Sequence, residues 1–153
     1  MARGDVKVFA SFLQKSKDGV AIDLLGADSI KLAIVTNATV PTVGTADPRY
    51  GTGGSTNFAT NAVPTGTGYP APVALTAITY AVAAGVVTFD AADVTIPQDA
   101  AGFTTGAYGI LYDDTVAGKY AIAFVDLGGP VGIQSGPLQI VWNAAGIFTE
   151  TAS

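Results

Sequence analysis

The chain contains no cysteine and no histidine. Without cysteine there are no disulfides, no thiolate metal centre and no thiol nucleophile. Without histidine the commonest transition-metal ligand and the usual general base are missing, and with them every Ser-His-Asp arrangement. Charge is scarce as well. Only 12% of the 153 residues are Asp, Glu, Lys or Arg, about half the roughly 25% of an ordinary soluble domain. None falls between Gly51 and Phe89, and none between Leu127 and Thr149. Of the seven basic residues, Arg3, Lys7, Lys15, Lys17, Lys31 and Arg49 crowd the first third, and only Lys119 follows. A free-living domain uses charge to keep its surface wet and unpartnered. Leaving it out over such lengths points to a surface covered by other protein, hence to an assembly component rather than a solitary enzyme.

Long uninterrupted apolar runs are also missing. Pro64, Pro70, Pro72, Pro130 and Pro137 and many glycines break the uncharged stretches, whereas a membrane-spanning helix needs about 20 mostly apolar residues. Asp5 and Lys7 interrupt the N-terminal MARGDVKVFASF, so no signal-peptide core is expected there. The expectation is a protein made in a cytoplasm and soluble, with no membrane partner. The net charge of −5 gives no electrostatic case for nucleic acid, although the basic bias of the first third suits an acidic partner. No cofactor is implied.

What is present leans towards strands. Ala, Val, Ile, Thr and Gly dominate over Leu and Met, a palette of β-formers and turns. Strands are expected at Val6–Leu13, Ser29–Thr36, Ala74–Val82, Val86–Phe89, Val94–Ile96, Tyr108–Tyr112, Tyr120–Leu127, Leu138–Trp142 and Gly146–Thr149, with Ala84-Gly85 a tight turn and Asp113–Lys119 a hairpin loop. In Tyr120–Leu127, Tyr120, Ile122, Phe124 and Asp126 fall on one face by period-two alternation, and Ala121, Ala123, Val125 and Leu127 on the other. No convincing amphipathic helix stands out. Val40–Pro72 is rich in Pro, Gly, Thr, Asn and Ser, and so long an irregular segment inside a domain tends to be functional or ordered by a partner. The expected fold is all-β: one antiparallel β-sandwich or jelly-roll-like domain over 1–153. It divides into an N-terminal arm or strand (1–20), a long irregular Gly/Thr/Pro-rich loop (40–72) and a strand-rich core (73–150).

Candidate chemical motifs are weak. Arg3-Gly4-Asp5 matches an adhesion tripeptide and Asn37-Ala38-Thr39 a glycosylation sequon, both short enough to arise by chance. Gly51-Thr52-Gly53-Gly54-Ser55-Thr56 has no lysine where a phosphate-binding loop needs one, so it reads as a flexible or partner-ordered loop. Asp90, Asp93, Asp113 and Asp114 lack the alternating pattern of a calcium loop and read instead as strand ends and turn starts. Trp142, the single tryptophan, reads as core or interface packing, and a carbohydrate-binding platform of several exposed aromatics is not evident. No catalytic or metal-binding residue is assigned, and the chain is read as non-enzymatic.

Four stretches carry a family resemblance: VVTFDAADVTIP (Val86–Pro97), YGILYDDT (Tyr108–Thr115), AIAFVDLGG (Ala121–Gly129) and VWNAAGIF (Val141–Phe148). In this order they resemble a family of small structural proteins of tailed bacteriophages. That family shows a "TFDADDV"-like strand and turn, an "A-V-L-Y-D-D-T" strand, a "GYIDFGG"-like strand and a closing "W…GIF". Upstream, IKLAIV (Ile30–Val35) and a variable Gly/Thr-rich region ending near GTGYPAP fit loosely. The resemblance implies a virion component of the head-decoration or capsid-cement type. Its partner would be the major capsid protein, it would sit on the capsid exterior, and it would be made in the host bacterial cytoplasm. A neck, tail or fibre-base position is the alternative within the virion, and a carbohydrate-binding module is the alternative outside it.

Capsid contacts are expected from Arg3, Lys7, Lys15 and Lys17 of the arm and from Arg49, Tyr50, Phe58 and Tyr69 of the long segment. The arm supplies positive charge, and the uncharged irregular segment is ready to order on binding. Phe124 and Trp142 are expected in the core or in self-association, as a homodimer or homotrimer on a symmetry axis.

Overall fold

The structure, a computed structural model, describes residues 3–20 and 22–151; Met1 and Ala2 of the expected arm lie outside that range. Strand outweighs helix 38% to 8%, which makes the chain all-β. In chain order the elements are β1 (Val6–Val8), α1 (Ala10–Lys17), β2 (Ile30–Val35), β3 (Pro48–Arg49), β4 (Thr56–Asn57), a 3-10 turn (Phe58–Asn61), β5 (Val73–Ala74), β6 (Thr79–Ala83), β7 (Val86–Asp90), β8 (Val94–Ile96), β9 (Gly106–Asp113), β10 (Ala121–Val131), β11 (Leu138–Ile140) and β12 (Phe148–Thr151). The widest sheet has five strands in the order β1-β10-β9-β2-β5, all antiparallel. Strands β12-β7-β6 form a second antiparallel sheet and β11-β8 a third, while β3 and β4 make one short parallel pair.

The expected strand Val6–Leu13 is corrected after Val8, where α1 takes over. Ala10–Lys17 holds no proline or glycine, and Ala, Leu, Gln and Lys are good helix formers. Lys15 and Lys17 in the last turn complement the negative end of the helix. Asp18 N–H bonds back to Gln14 O at 2.9 Å, and Gly19 takes the left-handed conformation (φ 82°) that stops the helix. One apolar residue, Phe12, is fully buried from this helix. So short a segment leaves little periodicity to read.

Sheet pairing explains the rest of the core. β9 runs between β10 and β2, and Ile110 sits opposite both Phe124 and Ala33. By strand alternation these share a face with Tyr112, while Leu111, Leu32 and Val125 lie on the other side. Both sets are buried, so each face of the sheet needs cover. Phe9 packs on Phe124 with ring centroids 4.9 Å apart, Phe58 lies 6.0 Å from Phe9, and Tyr50 stacks on Tyr112 at 4.5 Å. The alternation expected along Tyr120–Leu127 is reset near its start. A register shift between Ala121 and Ala123 places Ala121 opposite Tyr112 and Ala123 opposite Leu111, as a β-bulge does.

The 40–72 segment is irregular, as expected, but it is not free. It lines the outer edge of β2 where β5 stops. Ile34 N–H donates to the Tyr69 hydroxyl at 2.9 Å, Val63 N–H to Ile34 O at 3.1 Å and Thr36 N–H to Asn61 O at 2.8 Å. Phe58, Val63 and Tyr69 are buried in the same core. Tyr69 illustrates the depth: burial pushes its hydroxyl up to about 12. Phe58→Ala is therefore expected to cost about 3–5 kcal/mol in urea unfolding, the range for emptying a packed aromatic site. A change under about 0.5 kcal/mol would instead mark a loop that carries no packing.

Candidate functional site

Charge is rare in this molecule, and the structure concentrates it. Asp47 pairs with Lys15 at 3.0 Å and with Arg49 at 2.9 Å; Asp114 pairs with Lys31 at 2.6 Å and with Lys119 at 2.7 Å. The two triads are neighbours. Arg49 bridges Tyr120, and Tyr50 N–H donates to Lys119 O at 2.9 Å. Tyr120 is the hub: Lys15 Nζ lies 4.6 Å from its ring centroid and the Arg49 guanidinium 4.5 Å. A tyrosine face attracts both cations through its quadrupole. Four of the seven basic residues and two carboxylates thus form one patch with a positive excess, while three basic residues remain among the other ten acidic ones.

Local backbone makes the patch possible. Asp47 and Lys119 both adopt positive φ (37° and 44°), which turns the chain back at each triad. The glycine-rich run has a structural reason here. A side chain at Gly54 would run into Asp47 O and the Arg49 stem, and one at Gly118 would meet the Tyr120 ring at 2.7 Å and Arg49 at 2.9 Å. Gly51–Thr56 is therefore seated under Arg49. Burial pushes the Asp47 carboxyl up, but Arg49 and Lys15 outweigh it and hold it below the ordinary carboxylate range. At Asp114 burial acts in the same direction and is outweighed by Lys119 and Lys31. Both aspartates stay ionised at neutral pH, and the patch loses this support as acid titrates them.

Of the residues expected to make contacts, Lys15, Arg49 and Tyr50 come together in this patch. Arg3 and Lys7 lie elsewhere, lining an open groove of about 740 Å³ between β1 and Leu138–Phe148. Lys17 is exposed at the end of α1. Phe58 and Tyr69 belong to the core, so their rings are not open to a partner. Phe124 and Trp142 are buried too, and of the two roles held open for them they serve packing. The Trp142 indole N–H donates to Ala92 O at 3.0 Å, and its backbone N–H to Asp93 Oδ1 at 2.9 Å. Lys31, Asp47, Lys119 and Tyr120 were not among the contacts expected from the sequence, and Asp114 was expected only at a turn start. Lys31 and Lys119 are far apart along the chain, and nothing local marks them as sharing one carboxylate.

Asp113 is the one fully buried charged residue among those described. Its Oδ1 accepts the Thr115 and Val116 N–H groups at 2.8 and 3.2 Å, the turn-starting role expected of it. Oδ2 is buried without a donor among the described residues, and the Asp28 carboxylate lies against the group. Burial foremost, and the Asp28 charge after it, raise the Asp113 carboxyl above its ordinary value of 3.8. Among the described residues no group of three or more acidic side chains is placed to hold a metal ion. No helix among them is long and apolar enough to cross a membrane.

No family model, curated protein or solved structure matches the chain. The geometry of the molecule itself therefore carries the functional reading.

Asp113 provides a pH test. A carboxyl raised in the folded chain favours folding fully below the unfolded value, and this contribution is lost as pH rises through the folded one. Asp113→Asn keeps an acceptor for the two turn amides and adds a donor towards Asp28. It is expected to stabilise the protein at pH 7 by about 1 kcal/mol, the scale of one satisfied buried group. Urea unfolding at a series of pH values should show that gain fading as pH falls from the raised folded value towards the ordinary carboxylate value, and gone below it. A difference that does not vary with pH contradicts the assignment.

Proposed function

We propose that this chain is a non-enzymatic structural protein of a tailed-phage virion, binding the outside of the capsid shell and cementing neighbouring capsomers. The observation that carries the reading is the Lys15–Arg49–Tyr120–Lys119 patch, a positive face on an acidic and charge-poor molecule. Interfaces favour aromatic residues and arginine over other polar side chains, and Tyr50, Tyr120 and Arg49 supply them within one patch. An acidic shell surface would be attracted there and would meet net negative charge elsewhere. In this reading the sheets stack as a sandwich or jelly-roll-like body that holds the patch rigid. The phage-like sequence stretches support the same conclusion.

The mechanism is mass action. A protein that binds the assembled shell and not its separated subunits stabilises the shell by its binding free energy. Many copies on a symmetric lattice multiply modest single contacts. The long-range attraction is screened within about 10 Å at moderate salt, so attachment should weaken as ionic strength rises.

Lys119 is the most exposed cation of the patch, 42% open, and its reversal spares the core. Lys119→Glu is expected to weaken binding to purified shells about tenfold, the equivalent of about 1.4 kcal/mol, with the melting temperature nearly unchanged. Shells carrying the wild-type protein should resist heat or osmotic rupture better than bare ones. Equal rupture of coated and bare shells overturns cementing, and a handful of copies per particle moves the protein to the neck, tail or fibre base.

A further inference from the structure

The molecule protects one of its sheet edges and leaves another bare. The outer edge of β2 is closed by β5, Tyr69, Val63 and Asn61, as described above. Among the described residues the outer edge of β6 has no such cover: β6 is the last strand of its sheet. Thr79, Ala81, Val82 and Ala83 are exposed, Val82 at 70%. Proteins blunt such edges with charge, proline or bulges. Strand β6 has none of these, and its pairing with β7 runs from Thr79 to Ala83 without a register break. The nearest carboxylates on the same sheet, Asp90 opposite Thr79 and Glu150 opposite Val87, sit on the strands behind it.

The turn determines which backbone groups face outward. Ala84 and Gly85 both have positive φ (50° and 79°), the type I′ geometry of a two-residue hairpin. In such a hairpin the pair flanking the turn, Ala83 and Val86, exchanges both hydrogen bonds, and bonded pairs alternate from there. Ala81 and Thr79 therefore bond to β7. Tyr80 and Val82 turn their N–H and C=O groups to the open edge.

We propose that β6 pairs with β6 of a second copy of this chain, antiparallel about a two-fold axis at Ala81. In that register Tyr80 of each copy stands opposite Val82 of the other, and these are the residues whose backbone groups point outward. Ala81 meets Ala81 and Thr79 meets Ala83, all small enough for two hairpins to close. Each Tyr80 ring covers the other copy's exposed Val82, a favourable aromatic–branched pair. The two three-stranded sheets join into one six-stranded sheet. Two copies that each carry −5 repel over most of their surfaces, but the β6 edge brings no charged side chain to the contact. A charged partner would find only Glu150, set behind the edge beside Tyr80, and Asp90 behind Thr79. The pairing is independent of the capsid reading, since it involves none of the basic patch.

The test is the solution mass of the full chain by light scattering from micromolar to millimolar concentration, with wild type, Val82→Pro, Val82→Lys and Val82→Thr. The wild type and Val82→Thr are expected to be dimers. Val82→Pro removes an outward N–H that β7 does not use, and should raise the dissociation constant at least about a hundredfold. Fluorescence of the buried Trp142 reports whether each variant is folded. If Val82→Pro unfolds, Val82→Lys, which keeps the N–H, decides: a folded monomer supports the pairing and a dimer of wild-type affinity overturns it. A wild type that stays monomeric throughout, or a folded Val82→Pro that still dimerises, also overturns it.

Discussion

Strand β9 is held between β10 and β2, with buried side chains on both faces of the sheet. That constraint organises the molecule. A sheet apolar on both sides must be covered twice, and its flanking strands must end in covered or paired edges. The N-terminal segment and the 40–72 segment answer the need on the Phe124 side, supplying Phe9, Phe58 and Tyr50. Residues 61–69 then serve a second purpose by satisfying backbone groups of β2 past the end of β5. Segments that look like a free arm and a free loop are thus components of the core.

The basic patch is a by-product of the same demand. Asp47 immediately precedes β3 and Arg49 ends it, and Lys119 and Tyr120 sit where the β9–β10 hairpin returns. Covering Tyr112 with Tyr50 brings these two turns into contact, and α1 adds Lys15 to the open face of Tyr120. Each ion pair is partly open to solvent, and such pairs individually contribute little stability. Their consequence is positional. They hold Lys15 and Arg49 over one aromatic ring and Lys31 and Lys119 on Asp114 beside it, instead of letting them wander in solvent.

Two sheet edges with opposite treatment show how the chain separates stability from association. At β2 the edge is closed by a short strand, a tyrosine hydroxyl, the Val63 N–H and the Asn61 carbonyl. At β6 a regular two-residue turn presents an uncharged strand with its bonding groups turned out. The absence of charge over 51–89 spans both edges, but it has a different meaning at each. Around 58–75 it surrounds four buried anchors, Phe58, Val63, Tyr69 and Leu75, and around 79–85 it leaves an edge without repulsion.

Strand-forming composition, the Ala84-Gly85 turn, Val94–Ile96 and the Asp113 turn were legible in the sequence because each depends on near neighbours. Period-two alternation, β-branched runs and glycine or aspartate punctuation are local signals. The α1 helix was not legible: eight residues with one buried side chain leave no periodic stripe. Nor was the burial of Phe58 and Tyr69, because a Gly/Thr/Pro-rich context has the same composition whether it floats or lies on a sheet. The basic patch escaped for a related reason, since Lys15, Lys31, Asp47, Arg49, Asp114 and Lys119 meet across most of the chain's length. Sequence alone determined an all-β chain without thiol or imidazole chemistry and with little charge to spare. Only the tertiary structure decided where that charge gathers and which edge stays open, because both depend on contacts between residues that no local pattern links.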